Sequence, residues 1–179
     1  VKAGRQILTW GTGDLIFLND LFPKDYVSFF AGRDVEYLKA PSDAVKMSLY
    51  GKPINLDVVY TPHFDPDRYI DGHRFSYWSD SMGRLTGNQI DTDAPESWFQ
   101  DDEVALRAHR MVEGYELAGY FYRGFWKSPG GADPMTGDAI FPDLSVYGAS
   151  ARGRLGTGIA NAEVAYYDSQ DDPDGDGII

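Results

Sequence analysis

Hydrophobic and polar residues alternate with a period of two along much of this chain. In the segment INLDVVYT every second residue is large and apolar, and the positions between them include Asn55 and Asp57. The segments at 103–112 and 159–168 show the same alternation. Because successive side chains of a β-strand point to opposite faces of its sheet, this period predicts strands with one apolar and one polar face.

About seven such segments, bounded by Gly, Pro and Asp, are predicted to be strands. They lie at residues 1–10, 44–50, 54–62, 103–112, 115–127, 144–155 and 159–168. The connections between them are alternately long and short. Long loops cover residues 11–43, 63–102 and 128–143, and tight turns lie at 51–53, 113–114 and 156–158.

This rhythm of connections favours one all-β architecture. Transmembrane β-barrels have short turns on one side of the membrane and long loops on the other, and each strand has an apolar face for lipid and a polar face for a wet lumen. A soluble sandwich has no reason to keep the rhythm, although a half-exposed soluble sheet produces the same alternation within strands. We predict an antiparallel transmembrane β-barrel of which residues 1–179 form a fragment, with 63–102 as an extracellular loop.

The amino-acid composition excludes several classes of function. Aromatic residues make up 15% of the chain, and barrels place such rings in girdles at the membrane interfaces. The formal net charge of -12 argues against a nucleic-acid partner, because duplex binders need a basic face. The absence of cysteine excludes a disulfide framework and a thiolate metal site. No apolar run approaches the roughly 20 residues of a membrane-spanning helix.

The first third of the chain carries a more specific resemblance. A strand containing GRQ and Ile7 is followed by Trp10-Gly11, by NDLFPKD at 19–25 and by KAPSDAVKMSLY at 39–50. This order resembles the first part of outer-membrane porin-type barrels related to the alginate-export family, over roughly residues 1–61. The resemblance implies a many-stranded barrel in the lipid of a Gram-negative outer membrane. It also implies passive passage of small anionic or neutral solutes, or of a polysaccharide, without catalysis. The mixed charges here depart from the strongly basic lumen of the alginate exporter.

The loop 11–43 is the predicted constriction of the lumen. Its charged residues would face water and select solutes. Its apolar residues would pack it against the wall or into a small core of its own, and they are Leu15, Phe17, Leu21, Phe22, Phe29 and Phe30. The charged candidates in the loop are Asp14, Asp20, Lys24, Asp25, Arg33, Asp34 and Lys39. The lumen candidates on strands are Lys46, Asp57, Arg107, His109, Arg152, Arg154 and Glu163. We expect Arg152 and Arg154 to oppose Glu163 across the last hairpin and to pair with it. The alternatives are a loop that caps the extracellular mouth and a purely structural salt-bridge ladder.

The tail DDPDGDGII contains the sharpest local motif. Asp172, Asp174 and Asp176 occupy alternate positions before Gly177, as in the first half of an EF-hand calcium loop. They are the candidate calcium ligands, and the glutamate that would complete the loop would lie beyond Ile179. The alternative is an acidic, glycine-rich loop without metal. No other cofactor is predicted.

Three hypotheses follow from these patterns. The first is an outer-membrane channel for a small-molecule or oligosaccharide solute. The second is a soluble secreted β-rich module that binds calcium and glycans, with Tyr77, Trp78 and Trp98 as sugar platforms. The third is a structural barrel that sheathes a partner such as an electron-transfer conduit. We predict no enzyme, because the chain has no complete phosphate-loop, dinucleotide-loop or nucleophile-elbow motif.

Overall fold

A computed structural model describes residues 1–13, 15–79, 82–170 and 177–178. Its strands, in chain order, are β1 (Lys2–Ile7), β2 (Pro41–Tyr50), β3 (Asn55–Thr61), β4 (Tyr77–Ser79), β5 (Arg84–Thr86), β6 (Thr92–Asp93), β7 (Glu103–Val112), β8 (Tyr115–Phe125), β9 (Gly131–Ala132), β10 (Ala139–Ile140), β11 (Asp143–Leu155), β12 (Gly158–Ser169) and β13 (Gly177–Ile178). A short helix, α1 (Tyr26–Phe30), and a 3₁₀ turn (Val35–Leu38) lie in the first long loop. No helix in these ranges is long and apolar enough to cross a lipid bilayer.

One eight-stranded sheet dominates the structure, in the order β1-β2-β3-β7-β8-β11-β12-β13. Every neighbouring pair in it is antiparallel. The seven predicted strands are therefore confirmed as an antiparallel sheet. The predicted turn at Glu113 and Gly114 is also present, with positive φ at both residues, which is the backbone that two-residue hairpins require. As described, the sheet is open, with β1 and β13 at its two edges.

Two small sheets in the long loops were not predicted. β4 pairs with β5 in the second long loop. β10 pairs with β6 and β9, and so connects the second long loop to the third. These strands are two or three residues long, which is too short for hydrophobic periodicity to reveal them.

The main sheet curls strongly. The backbone N–H of Thr12 donates a hydrogen bond to Glu163 on β12, although Thr12 follows closely after the end of β1. Five residues from Ile7 to Thr12 span at most about 17 Å. In a flat sheet the six strand steps from β1 to β12 would separate them by about 29 Å. The sheet therefore bends, and the chain after β1 crosses its concave face.

The concave face carries the hydrophobic core. Residues after β1 pack on it, because Leu8, Trp10 and Phe22 belong to one buried cluster with side chains from the strands. The members from the strands are Ala44, Val59, Ala105, Ala118, Tyr120, Tyr122, Leu144, Val146, Ala165 and Tyr167.

The opposite, convex face is also apolar but is not buried. One row of paired residues crosses six strands from β2 to β12: Met47, Val58, Leu106, Phe121, Tyr147 and Tyr166. The next row consists of Leu49, Leu56, Ala108, Gly119, Ala149 and Val164. Five large side chains in these rows are 37% to 51% exposed, namely Met47, Leu49, Tyr147, Val164 and Tyr166. The other four, Leu56, Val58, Leu106 and Phe121, are partly buried. Charged residues of this face lie toward its ends, at Arg5, Asp43, Arg110, Arg123, Asp143 and Asp168.

Candidate functional site

The candidate site is the concave face together with the segment that crosses it. We call the described residues of this segment, 8–13 and 15–24, the strap. Trp10 lies near its start, with its ring 5.0 Å from Phe22 in an edge-to-face contact and 6.3 Å from Tyr120 on β8. These aromatic contacts hold the strap against the centre of the sheet. The predicted packing of Phe22 is confirmed, whereas Leu15 and Phe30 are exposed.

The central part of the strap is attached to β12 by polar contacts. The Glu163 carboxylate accepts hydrogen bonds from the Thr12 N–H and from Asn19 Nδ2 at 3.3 Å. Asn161 Nδ2 donates to the Thr12 carbonyl at 3.1 Å. The Tyr167 hydroxyl donates to the Leu18 carbonyl at 2.8 Å. Two side chains of β12 thus hold both backbone groups of Thr12.

A glycine on β11 makes room for the strap. A Cβ atom at Gly148 would lie 1.7 Å from Asn19 Oδ1, so a larger residue there would displace Asn19. Asn19 is 2% exposed, and its other amide atom bonds to Glu163. The absence of a side chain at Gly148 is therefore a condition for the attachment.

Three charged residues of the strap region lie in the interior, contrary to the prediction that they face water. Asp20, Lys24 and Asp25 are all less than one-tenth exposed. Lys24 Nζ lies 3.2 Å from Asp20 Oδ1 and donates to the Asp20 carbonyl at 3.1 Å. Burial lowers the pKa of Lys24, and the Asp20 carboxylate opposes that shift.

Asp25 has a local structural role. It caps α1 by accepting from Ser28 N at 2.8 Å, and it pairs with Arg68 at 2.5 Å. Arg33, in contrast, is exposed, with its guanidinium 5.2 Å from the Tyr37 ring. Lys39 Nζ donates to Thr9 Oγ1 at 2.9 Å. The structure therefore does not bring Arg33 and Lys39 together.

The strap is also tied to the other two long loops, by residues that sequence reasoning missed. Asp67 accepts from Lys24 N at 2.6 Å and from Ser128 Oγ at 2.8 Å, and burial raises the pKa of its carboxyl group. Beside it, Lys127 Nζ lies 2.6 Å from the buried Glu103 carboxylate. A cavity of about 210 Å³ lies between this cluster and the strap. Nothing in the local sequence marks these pairs, because their members come from distant segments.

The tight-turn end of the concave face is charged and open. Arg107 Nη2 lies 2.7 Å from Glu116, and Arg107 Nη1 lies 3.8 Å from Asp57. His109 Nε2 lies 3.8 Å from the same Asp57 carboxylate. An open cavity of about 850 Å³ at this end is lined by Glu116, Arg152 and Arg154, among others. By strand alternation Lys46 belongs to the same face.

The expected cross-hairpin pairing of Glu163 with Arg152 and Arg154 is wrong. Arg152 lies opposite Asn161, and Glu163 lies opposite Ser150. The turn holds two residues, since Leu155 pairs with Gly158, and this places Glu163 beside the strap.

The remaining candidates do not converge on one site. Trp78 lies on β4, whereas the Trp98 ring lies 5.1 Å from His63. Asp14, Asp172, Asp174 and Asp176 lie outside the described residues. Within the described ranges no group of three or more His, Cys, Asp or Glu side chains is arranged to hold a metal ion.

Comparison with known proteins gives no relative for this chain, because no family model, characterised protein or solved structure matches it.

Proposed function

We propose that this chain is part of a bacterial outer-membrane β-barrel that acts as a channel for small solutes or oligosaccharides. The observation that carries the proposal is the convex face. Its apolar rows run without a charged residue across six strands, and five large side chains in them are 37% to 51% exposed. A surface of this extent is costly in water, whereas it suits lipid.

The concave face supports the channel part of the proposal. Its tight-turn end combines ion-paired charges with an open space of about 850 Å³. Charged side chains of both signs along a water path select solutes by charge and dipole. The sheet also curls toward this face, as the wall of a barrel does around its lumen.

Lipid contact can be tested at single positions, because the chain contains no cysteine. A Leu117→Cys variant of the full-length protein would carry a fluorophore on the convex face, and Glu116→Cys would carry it on the concave face one residue away. In vesicles with brominated acyl chains we expect strong quenching at position 117 and little at position 116. Equal quenching at both positions would overturn the membrane orientation.

Fractionation and conductance test the rest of the proposal. We expect the full-length protein to fractionate with outer membranes, to show heat-modifiable gel mobility and to conduct ions in planar bilayers. Recovery in the aqueous phase without detergent would contradict the barrel and favour a soluble module.

A further inference from the structure

We propose that the strap lies inside the channel and that Glu163 and Asn161 fix its position and thereby the channel aperture. This inference rests on the proposed channel function. Glu163 and Asn161 are positioning residues, because they hold the strap in place and do not themselves contact the solute.

The path of the strap is the first support. The strap connects a strand at one edge of a curled sheet to a strand near the other edge. The short path between two such strands passes through the space on the concave side of the sheet. The strap does so, because it leaves β1 after Ile7 and reaches Glu163 on β12. The space that a lumen would occupy therefore contains Trp10 and Phe22.

The form of the attachment is the second support. Backbone groups of Thr12 bond to side chains of Glu163 and Asn161, rather than to a neighbouring strand. Hydrogen bonds to a carboxylate are stronger than those between neutral groups. Glu163 also accepts from Asn19, so a single carboxylate holds the strap at two points. Removing it breaks one bond at each point, and Thr12 then remains bonded to Asn161 alone.

The two ends of the concave face differ in what fills them. The loop end is packed by the strap, whereas the tight-turn end is open and charged. A solute that moves along this face meets its narrowest point at the strap. The position of the strap therefore determines the aperture.

Substitution of the two anchors is the direct test, with single-channel conductance of the full-length protein in planar bilayers as the readout. We expect Glu163→Ala combined with Asn161→Ala to raise conductance about twofold or more, because the strap no longer narrows the path. Glu163→Gln removes the same charge and keeps one acceptor for the Thr12 N–H, although its NH2 group can no longer accept from Asn19. Because Asn161 still holds Thr12, its conductance should lie closer to that of the wild type than to that of the double alanine variant, which separates anchoring from charge.

A reversible crosslink provides the second arm. In the triple variant Thr12→Cys with Asn161→Cys and Glu163→Ala, oxidation should join the strap to β12 and give wild-type conductance. Reduction should then raise conductance as in the alanine variant. Failure of the crosslink to form in folded protein would overturn the strap position, and equal conductance before and after reduction would overturn its control of the aperture. Absence of conductance from the wild type would instead overturn the channel function, and the aperture role with it.

Discussion

The same strands present two faces that handle polar groups in opposite ways. On the convex face, apolar residues form unbroken rows and charges lie only toward the ends. On the concave face, charged groups are frequent, and several are paired, such as Lys127 with Glu103 and Arg107 with Glu116. The convex face therefore leaves apolar side chains at the surface, whereas the concave face pairs many of its charged groups with one another.

This difference shows where specificity resides in the fold. Rows of interchangeable apolar residues determine which side chains of each strand lie on the convex face. They do not determine which segment of the chain packs on the concave face. The interior depends on individual partners, such as Gly148 beside Asn19 and Glu163 beside Thr12. Substitutions on the two faces should accordingly have different consequences.

The largest effect is expected from breaking a buried ion pair on the concave side. Lys127→Met leaves the Glu103 carboxylate, 4% exposed, without its cation. We expect a loss of about 3–5 kcal/mol in the free energy of unfolding, measured by chemical denaturation. The double variant Lys127→Met with Glu103→Gln should be clearly more stable than the single one. Equal stability of the two variants would show that the ion pair is not the cause.

A charge at the centre of the convex face should have the next largest effect. In a lipid-facing wall, Val164→Arg, in one of the two uncharged rows, is expected to cost about 2–4 kcal/mol of folding free energy in bilayers. Met135→Arg is the matched control, since Met135 is a loop residue and 94% exposed, and it should change stability by less than about 0.5 kcal/mol. A small effect at both positions would mean that the convex face meets water.

The same substitution, glycine to alanine, can be made once on each face of the sheet. Gly148→Ala places a methyl group against Asn19 Oδ1 and should destabilise by about 1–3 kcal/mol through overpacking. Gly119→Ala on the convex face meets nothing closer than 4.0 Å. It should be neutral or slightly stabilising, because alanine loses less backbone entropy on folding. Thermal unfolding of the two variants measures the contrast.

The smallest effect is a change in pH dependence at the loop end. Burial raises the pKa of Asp67 in the folded state, so the folded protein binds this proton more tightly than the unfolded chain does. The contribution of Asp67 to stability is therefore largest below the ordinary carboxyl pKa and falls as pH rises through the raised value. In Asp67→Asn this part of the pH dependence should vanish. A stability-against-pH curve unchanged by the substitution would contradict this assignment.

Period-two alternation was sufficient to locate the main sheet. The strand at 103–112 was predicted with both ends correct, and the other long strands agree apart from a few terminal residues. The faces of Asp57, Arg107 and Glu163 also followed from alternation, because a strand offers only two sides. These features depend on local sequence, which is why they were predictable.

The interior was not predictable for the opposite reason. Asp20 and Lys24 look like solvent-facing loop residues, and only distant residues such as Asp67 allow that region to be buried. The error over Glu163 concerned its position along the strand rather than its face, because its partner across the hairpin is Ser150, two residues before Arg152. Whether the curled sheet is the wall of a membrane channel stays a prediction.

The strap also constrains the order in which the molecule can be assembled. Its contacts join residues about 150 positions apart, since Thr12 bonds to Asn161 and Glu163. Consecutive hairpins can form one by one from local contacts, but these bonds must wait until β12 exists. Contacts of such long sequence separation slow folding. The strap is therefore among the last segments to reach its final position. The main sheet must curl around the strap, because it cannot adopt its final curvature before the strap is in place.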